Sequence, residues 1–259
     1  MSENPIMDSI NAGFGVGKEP GEQGSVEWLM ERVGYCTASR FRDVMDILKN
    51  GKFGAKHQAY VYSVARERVR GKPVNNFVNF AMERGTELEP QARMAYESFS
   101  GNLVTQVGFI HHPSIKYVGG SPDGLVDDDG IIEIKCPMDS NAKHYDTWLK
   151  GMDDEHTPQV QGLLWVLNRQ YCDFISYDPD EPPHLQLCIV RVNRDDDYIA
   201  ELEKQVISFL AEVDALLVKL AAASSPPAAA VVVGASHHGL SSFPHDDKQA
   251  GEDSDRGAI

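Results

Sequence analysis

"GGSPDGLVDDDGIIEIKCP", residues 119–137, sets two isolated acids and a lysine around an acidic turn. Asp123 follows a proline, and ten positions later Glu133-Ile134-Lys135 closes a short apolar run. Glutamate and lysine are poor residues for a strand interior. Side chains alternate across a strand, so Glu133 and Lys135 share one face and Ile134 points to the other. With Gly124 to Gly130 as the connection between strands, Asp123 returns beside Glu133. Two carboxylates and an ammonium then converge at one end of a sheet. Such hard oxygen ligands suit Mg²⁺ or Mn²⁺, and a pair of these ions can clamp a scissile phosphate. A lysine two residues from a metal-bound carboxylate can orient or deprotonate a water, or neutralise charge on phosphate. The plain alternative is a surface Glu–Lys pair on an edge strand, where lysine discourages aggregation. The turn itself is no calcium loop: Gly130 in the sixth position would put Leu125 in the first, where a carboxylate is required.

Outward from this stretch the periodicity changes. Residues 103–110, 115–119 and 131–135 read as strands, as do "YCDFISYD" and "LQLCIVRV" beyond them. Residues 37–48, 56–70, 84–99 and 196–220 read as helices, the first with Phe41, Val44, Met45 and Leu48 at helical spacing. Thr157-Pro158 supplies an N-cap and a first-turn proline for a helix that carries Val160, Leu163, Leu164 and Leu167. Helices that precede and follow a run of strands imply a mixed α/β layer fold.

The 259 residues are enough for a substantial core. Residues 1–25 read as a flexible N-terminal arm, 26–221 as one folded domain, and 222–259 as a disordered tail of small residues, prolines and acids. The tail is either an inert solubilising extension or a docking segment for a partner, with Val231, Val232, Val233 and Phe243 as anchors. No apolar run approaches the roughly 18 residues of a membrane helix. The N-terminus lacks the basic start and apolar stretch of a signal peptide, so a cytoplasmic location is expected. Cys36, Cys136, Cys172 and Cys188 are widely separated, which argues against a zinc site and a disulfide framework. The formal charge of −15 argues against a passive nucleic-acid coat, though a local basic channel could still steer DNA.

Four blocks extend the Pro-Asp…Glu-x-Lys pattern: "WLMERVGYCTASRF", "RGTELEPQARMAYESFSG", "SPDGLVDDDGIIEIKCP" and "TPQVQGLLWVLNRQYCDFISYDPD", in that order. Together they resemble the lambda exonuclease and YqaJ-like viral recombinase family of the PD-(D/E)xK nuclease superfamily, over roughly residues 26–220. The resemblance implies a restriction-endonuclease-like core, a central mixed β-sheet flanked by helices. It implies a 5′-to-3′ double-stranded DNA exonuclease that uses Mg²⁺, with Mn²⁺ as substitute and two ions per site. Asp123, Glu133 and the backbone carbonyl of Ile134 would be its metal ligands, and Lys135 its catalytic lysine. Glu89 matches the family's helix-borne acid, with Glu87 as the rival in the same stretch. Read locally, Thr86-x-x-Glu89 could instead be a capping box, although Pro90 would start a helix only after Glu89. Gln159 matches the family glutamine. Gln161 fits the same loose pattern, but two residues turn a helix by roughly 200°, so only one can face the site. Arg32, Ser39 and Ser121 match positions that hold a terminal 5′ phosphate, and Trp28 matches beside them. Arg40-Phe41 departs from the family pattern, which puts the details of end recognition in question. The resemblance further implies a homotrimeric ring threaded by linear duplex DNA, and a single-strand annealing protein as partner in phage recombination.

Overall fold

The strand that ends in Glu133 and Lys135 lies inside a sheet, not at its edge. In the computed structural model, which describes residues 21–74, 80–138 and 142–224, it is β6, Gly130–Lys135. It pairs antiparallel with β5 (Gly124–Val126) on one side and parallel with β7 (Tyr171–Tyr177) on the other. With β2 (Val104–Thr105) and β8 (Leu187–Asn193) the order is β2-β5-β6-β7-β8. A second, smaller sheet has β1 (Cys36–Thr37) parallel to β4 (Val118–Gly120), with β3 (Ile110–His111) antiparallel on the far side of β4. This is the mixed α/β architecture that the resemblance implied, and the described residues up to Ala223 form one compact unit.

Helices cover both faces of the large sheet, which is why β6 reads as nearly continuous apolar sequence. Ile132 and Ile134 face α4 (Phe80–Ser100), where they pack with Ala92, Tyr96, Val126 and Ile175. Ile131 points the other way, into a larger core with Phe174, α6 (Thr157–Leu167), α3 (Ala55–Arg70) and the long α7 (Asp196–Ser224). Glu133 sits on this second face, 2% exposed. The edge-strand alternative therefore fails, because the strand is paired on both sides and the Glu133 side chain is buried, although Lys135 stays one-third exposed at the strand's end.

Several local expectations give way to tertiary demands. Within 37–48 only α2, Phe41–Val44, is α-helical, preceded by β1 and a 3₁₀ turn at Ala38–Arg40. Asp46 is diverted to the next helix: its carbonyl accepts from Gly54 N–H and its carboxylate from Lys56 N–H, at the start of α3. The helix that contains Glu89 runs through Pro90 from Phe80, so Thr86 is no N-cap. At α6 the cap residue is His156, not Thr157, and Pro158 lies in the first turn. A 3₁₀ turn, Asp154–His156, leads into it, capped by the Asp153 carboxylate on Glu155 N–H. The strands expected over 103–110 and 115–119 shrink to β2, β3 and β4. Ser25 caps α1, Val26–Glu31, by accepting from Trp28 N–H at 3.1 Å. Residues 1–20 and 225–259, where most of the expected arm and tail lie, are outside the described residues. Among the described residues no helix is long and apolar enough to cross a membrane.

Candidate active site

The short connection from β4 to β5 returns Asp123 to β6. Its N–H donates to the Ile132 carbonyl at 3.2 Å, and its Oδ2 accepts from Ile134 N–H at 2.6 Å. Glu133 projects from the neighbouring strand position. Its Oε1 accepts from Lys135 Nζ and from Gln159 Nε2, both at 2.6 Å. Its Oε2 is buried and has no hydrogen-bond partner. A lone buried carboxylate oxygen costs about 1–3 kcal/mol, so this oxygen is the one that a bound electrophile would stabilise.

The charges respond to this crowding. Burial raises the Asp123 carboxyl well above its ordinary range, and the negative charges of Glu133 and then Glu89 push it further. Burial alone would lower Lys135, but Glu133 and Asp123 outweigh it and the ammonium is held strongly protonated. Glu89, on α4, is thus close enough to be felt by both groups. It lines a cleft of about 530 Å³ together with Ile134, Lys135, Cys136, Lys143 and His156. The Cys136 thiol beside Lys135 is pushed up to about 12 by burial and by Glu89, so it stays protonated.

Gln159 and Gln161 separate as the helical turn requires. Gln159 reaches Glu133, whereas buried Gln161 donates to the Asn193 carbonyl and accepts from Asp195 N–H, both at 2.9 Å, bracing α6 to the end of β8.

Arg32, Ser39 and Ser121 also come together, although they are 7 and 89 residues apart in sequence. Arg32 Nη1 donates to Ser121 Oγ at 3.3 Å and Nη2 to Ser39 Oγ at 3.2 Å. The Trp28 indole N–H donates to the same Ser121 oxygen at 2.9 Å, and its ring lies 4.2 Å from the guanidinium carbon. The guanidinium is thereby stacked and forked at once, and burial lowers its pKa to about 10. Trp28, Arg32 and Ser39 border a pocket of about 260 Å³ with Thr37, Arg40, Tyr60 and Glu67, and Ser121 is tied to it through its hydrogen bonds to Arg32 and Trp28. The departure at 40–41 now has a physical account. Phe41 is fully buried, while Arg40 stacks over Tyr60 at 4.2 Å and adds a second cation to the pocket wall.

Sequence reasoning missed Thr37, Lys143 and His156. Thr37 Oγ1 lies 3.3 Å from Ser39 Oγ, a hydroxyl pair brought together where the short strand passes into the 3₁₀ turn. Nothing in the sequence marks Lys143 or His156, which reach the cleft only through the packing of α5 (Lys143–Lys150) and the 3₁₀ turn.

The donor set fits a hard divalent cation. Among the described residues no three His, Cys, Asp or Glu side chains form a ready-made cage. Mg²⁺ does not need one, since it typically keeps several waters and takes one or two carboxylates plus substrate phosphate. Asp123 and the unpartnered Glu133 oxygen match that demand.

The model of the YqaJ-like viral recombinase domain matches residues 27–170, which contain all of these groups. The chain belongs to that family. Among solved structures, an alkaline exonuclease (LHK-Exo) from Laribacter hongkongensis is 42% identical, with a TM-score of 0.70 over 77% of this chain and 97% of that one. That enzyme has also been solved in complex with dAMP. A phage related exonuclease from Haemophilus somnus 129PT, 17% identical, shares the fold with a TM-score of 0.57 over 72% of this chain and 96% of its own. The uncharacterized protein R354 of Acanthamoeba polyphaga mimivirus is 28% identical over 179 residues, 62% of this chain. This YqaJ-like chain spans only 30% of the length of that relative.

Proposed function

We propose that the protein is a Mg²⁺-dependent exonuclease that degrades one strand of linear duplex DNA from its 5′ end, releasing mononucleotides and leaving 3′ single strands. Mn²⁺ would substitute. The observation that carries this reading is the adjacency of two sites. A guanidinium–serine pocket suited to a phosphate dianion ends at Ser121, and the carboxylate set begins at Asp123. The 42% identity to an alkaline exonuclease over nearly its whole length supports the same class of activity.

Asp123, Glu133 and the Ile134 carbonyl would hold the metal, with Glu89 contributing negative charge from α4. Bound cations would supply electrophilic stabilisation of the phosphoryl oxygens and a water acidic enough to attack. The remaining work belongs to the chain. Gln159 fixes the Glu133 side chain by occupying Oε1, which leaves Oε2 for the metal. Lys135, protonated at Nζ, donates to the reacting phosphate or its water and offsets the charge that develops there. Arg32 grips the terminal phosphate with a planar fork, and Ser39 and Ser121 add neutral donors. A homotrimeric ring with an acidic exterior and a basic channel would reconcile the charge of −15 with a DNA substrate. A single-strand annealing protein would take up the 3′ strand, in the cytoplasm of a phage or prophage host.

The test is digestion of linear, nicked and circular duplex, each with and without Mg²⁺. The expected result is metal-dependent release of 5′ mononucleotides from linear DNA alone. Cutting of closed circles would replace this reading with an endonuclease. Binding of ends without turnover would replace it with a DNA-end binding module.

A further inference from the structure

Next to the cleft-lining Lys143 and His156, one carboxylate carries two cations from different elements. Glu155, in the 3₁₀ turn before α6, takes Arg42 Nη1 of α2 on Oε2 at 2.5 Å and Lys143 Nζ of α5 on Oε1. The cations are about half exposed, at 52% and 53%, whereas Glu155 is only 20% exposed. Other surface pairs differ: Arg194–Asp196 and Lys204–Glu201 match one cation with one acid, and Arg84 faces two acids. Lys143 also lines the cleft itself, beside Lys135 and His156.

From this geometry we infer that Arg42 and Lys143 form a seat for an internal phosphodiester of the substrate strand, occupied in the free protein by the Glu155 carboxylate. The inference rests on the nuclease reading above, but it concerns a phosphate other than the terminal or scissile one. Two cations converging from separate elements on one pair of acceptor oxygens present donors to any two-oxygen anion, carboxylate or phosphodiester. The hydrogen bond from Lys143 and then that from Arg42 hold Glu155 at about 2, so it stays ionised at any working pH. Release therefore occurs by competition, not by protonation. Exposed ion pairs contribute little to stability, so exchanging the carboxylate for a backbone phosphate costs the fold little. In a chain of net charge −15, an internal anion over a basic seat also discourages capture of stray anions.

The experiment measures binding of a dye-labelled, 5′-phosphorylated duplex by fluorescence anisotropy, with Ca²⁺ in place of Mg²⁺, across a salt series. Glu155→Gln should tighten binding roughly two- to thirtyfold, because two surface pairs no longer compete. The double variant Arg42→Ala/Lys143→Ala should weaken binding and lower the log–log salt slope by about 0.9, the value for one lost phosphate contact. A purely structural brace predicts a lower melting temperature for Glu155→Gln without tighter binding, and that result overturns the inference. Should Glu155→Gln fail to fold, the double variant decides alone, since both of its side chains are half exposed: an unchanged slope overturns the seat. Wild-type protein that binds no duplex end removes the nuclease reading and this inference together.

Discussion

On the proposed reading, replacing Arg32 by glutamine separates recognition of the DNA end from the chemistry of cutting. The substitution removes the guanidinium that links Ser39 and Ser121, but leaves both serines anchored. Ser121 keeps the Trp28 indole donor at 2.9 Å, and Ser39 keeps its contact with Thr37. The pocket should therefore persist without its charge. A hydrogen bond to a charged group contributes about 1.5–3 kcal/mol, and each 1.4 kcal/mol is about tenfold. One such bond to the 5′ phosphate is thus worth roughly 12- to 150-fold, and that is the loss expected in the preference for phosphorylated over 5′-hydroxyl ends. Hydroxyl ends, which never used the charge, should be digested at the wild-type rate. The assay is initial nucleotide release from two otherwise identical linear duplexes. Equal slowing on both substrates would show that Arg32 supports the fold or the Asp123–Glu133 pair instead, and an unchanged preference would show that the phosphate is held elsewhere.

Asp123→Asn and Glu133→Gln should each abolish cleavage and the Mg²⁺-induced rise in melting temperature, whereas Lys135→Ala should keep that rise and lose at least ~10² in turnover; activity in EDTA would contradict all three. Gln159→Leu removes one of the two hydrogen bonds on Glu133 Oε1 and should lower kcat about tenfold or more. Gln161→Leu should instead cost about 1–3 kcal/mol of stability, read by denaturant melts, with turnover preserved at low temperature. Burial and then the nearby Lys135 charge hold His156 at about 4 against an ordinary 6.5. Its folded state thus resists protonation, and that stability is complete above pH 6.5 and lost as pH falls through 4. The sign of this linkage means that His156→Gln should flatten the melting-temperature profile in that window. A profile as steep as wild type would refute the assignment.

The adjacency of Asp123, Glu133 and Lys135 was legible because strand alternation is a property of the backbone, and Glu-x-Lys in an apolar run leaves few ways to dispose of both charges. The choice between Gln159 and Gln161 was open in the pattern and is closed by helix rotation, since the two faces of α6 meet different neighbours. Other features depend on partners far away in sequence. Asp46 leaves its own helical pattern to serve Gly54 and Lys56, and Glu155 meets a residue 113 positions earlier. Pro90 misleads for a different reason: a proline inside a helix forfeits one hydrogen bond, a cost that packing of Ala92 and Tyr96 against the sheet can offset.

The joint between the two sheets has one further consequence. Ser121 follows β4 of the small sheet, while Asp123 is bonded to β6 of the large one. Only Pro122 lies between them, its ring restricting the backbone and its carbonyl accepting from Gln23 at 2.6 Å. On the proposed reading, the grip on the strand's end and the point of scission are joined by a rigid spacer of one residue. The protein then carries its own ruler: the stride of digestion is written in covalent geometry, and lengthening this spacer by a residue should change the size of what is released before it changes whether anything is cut.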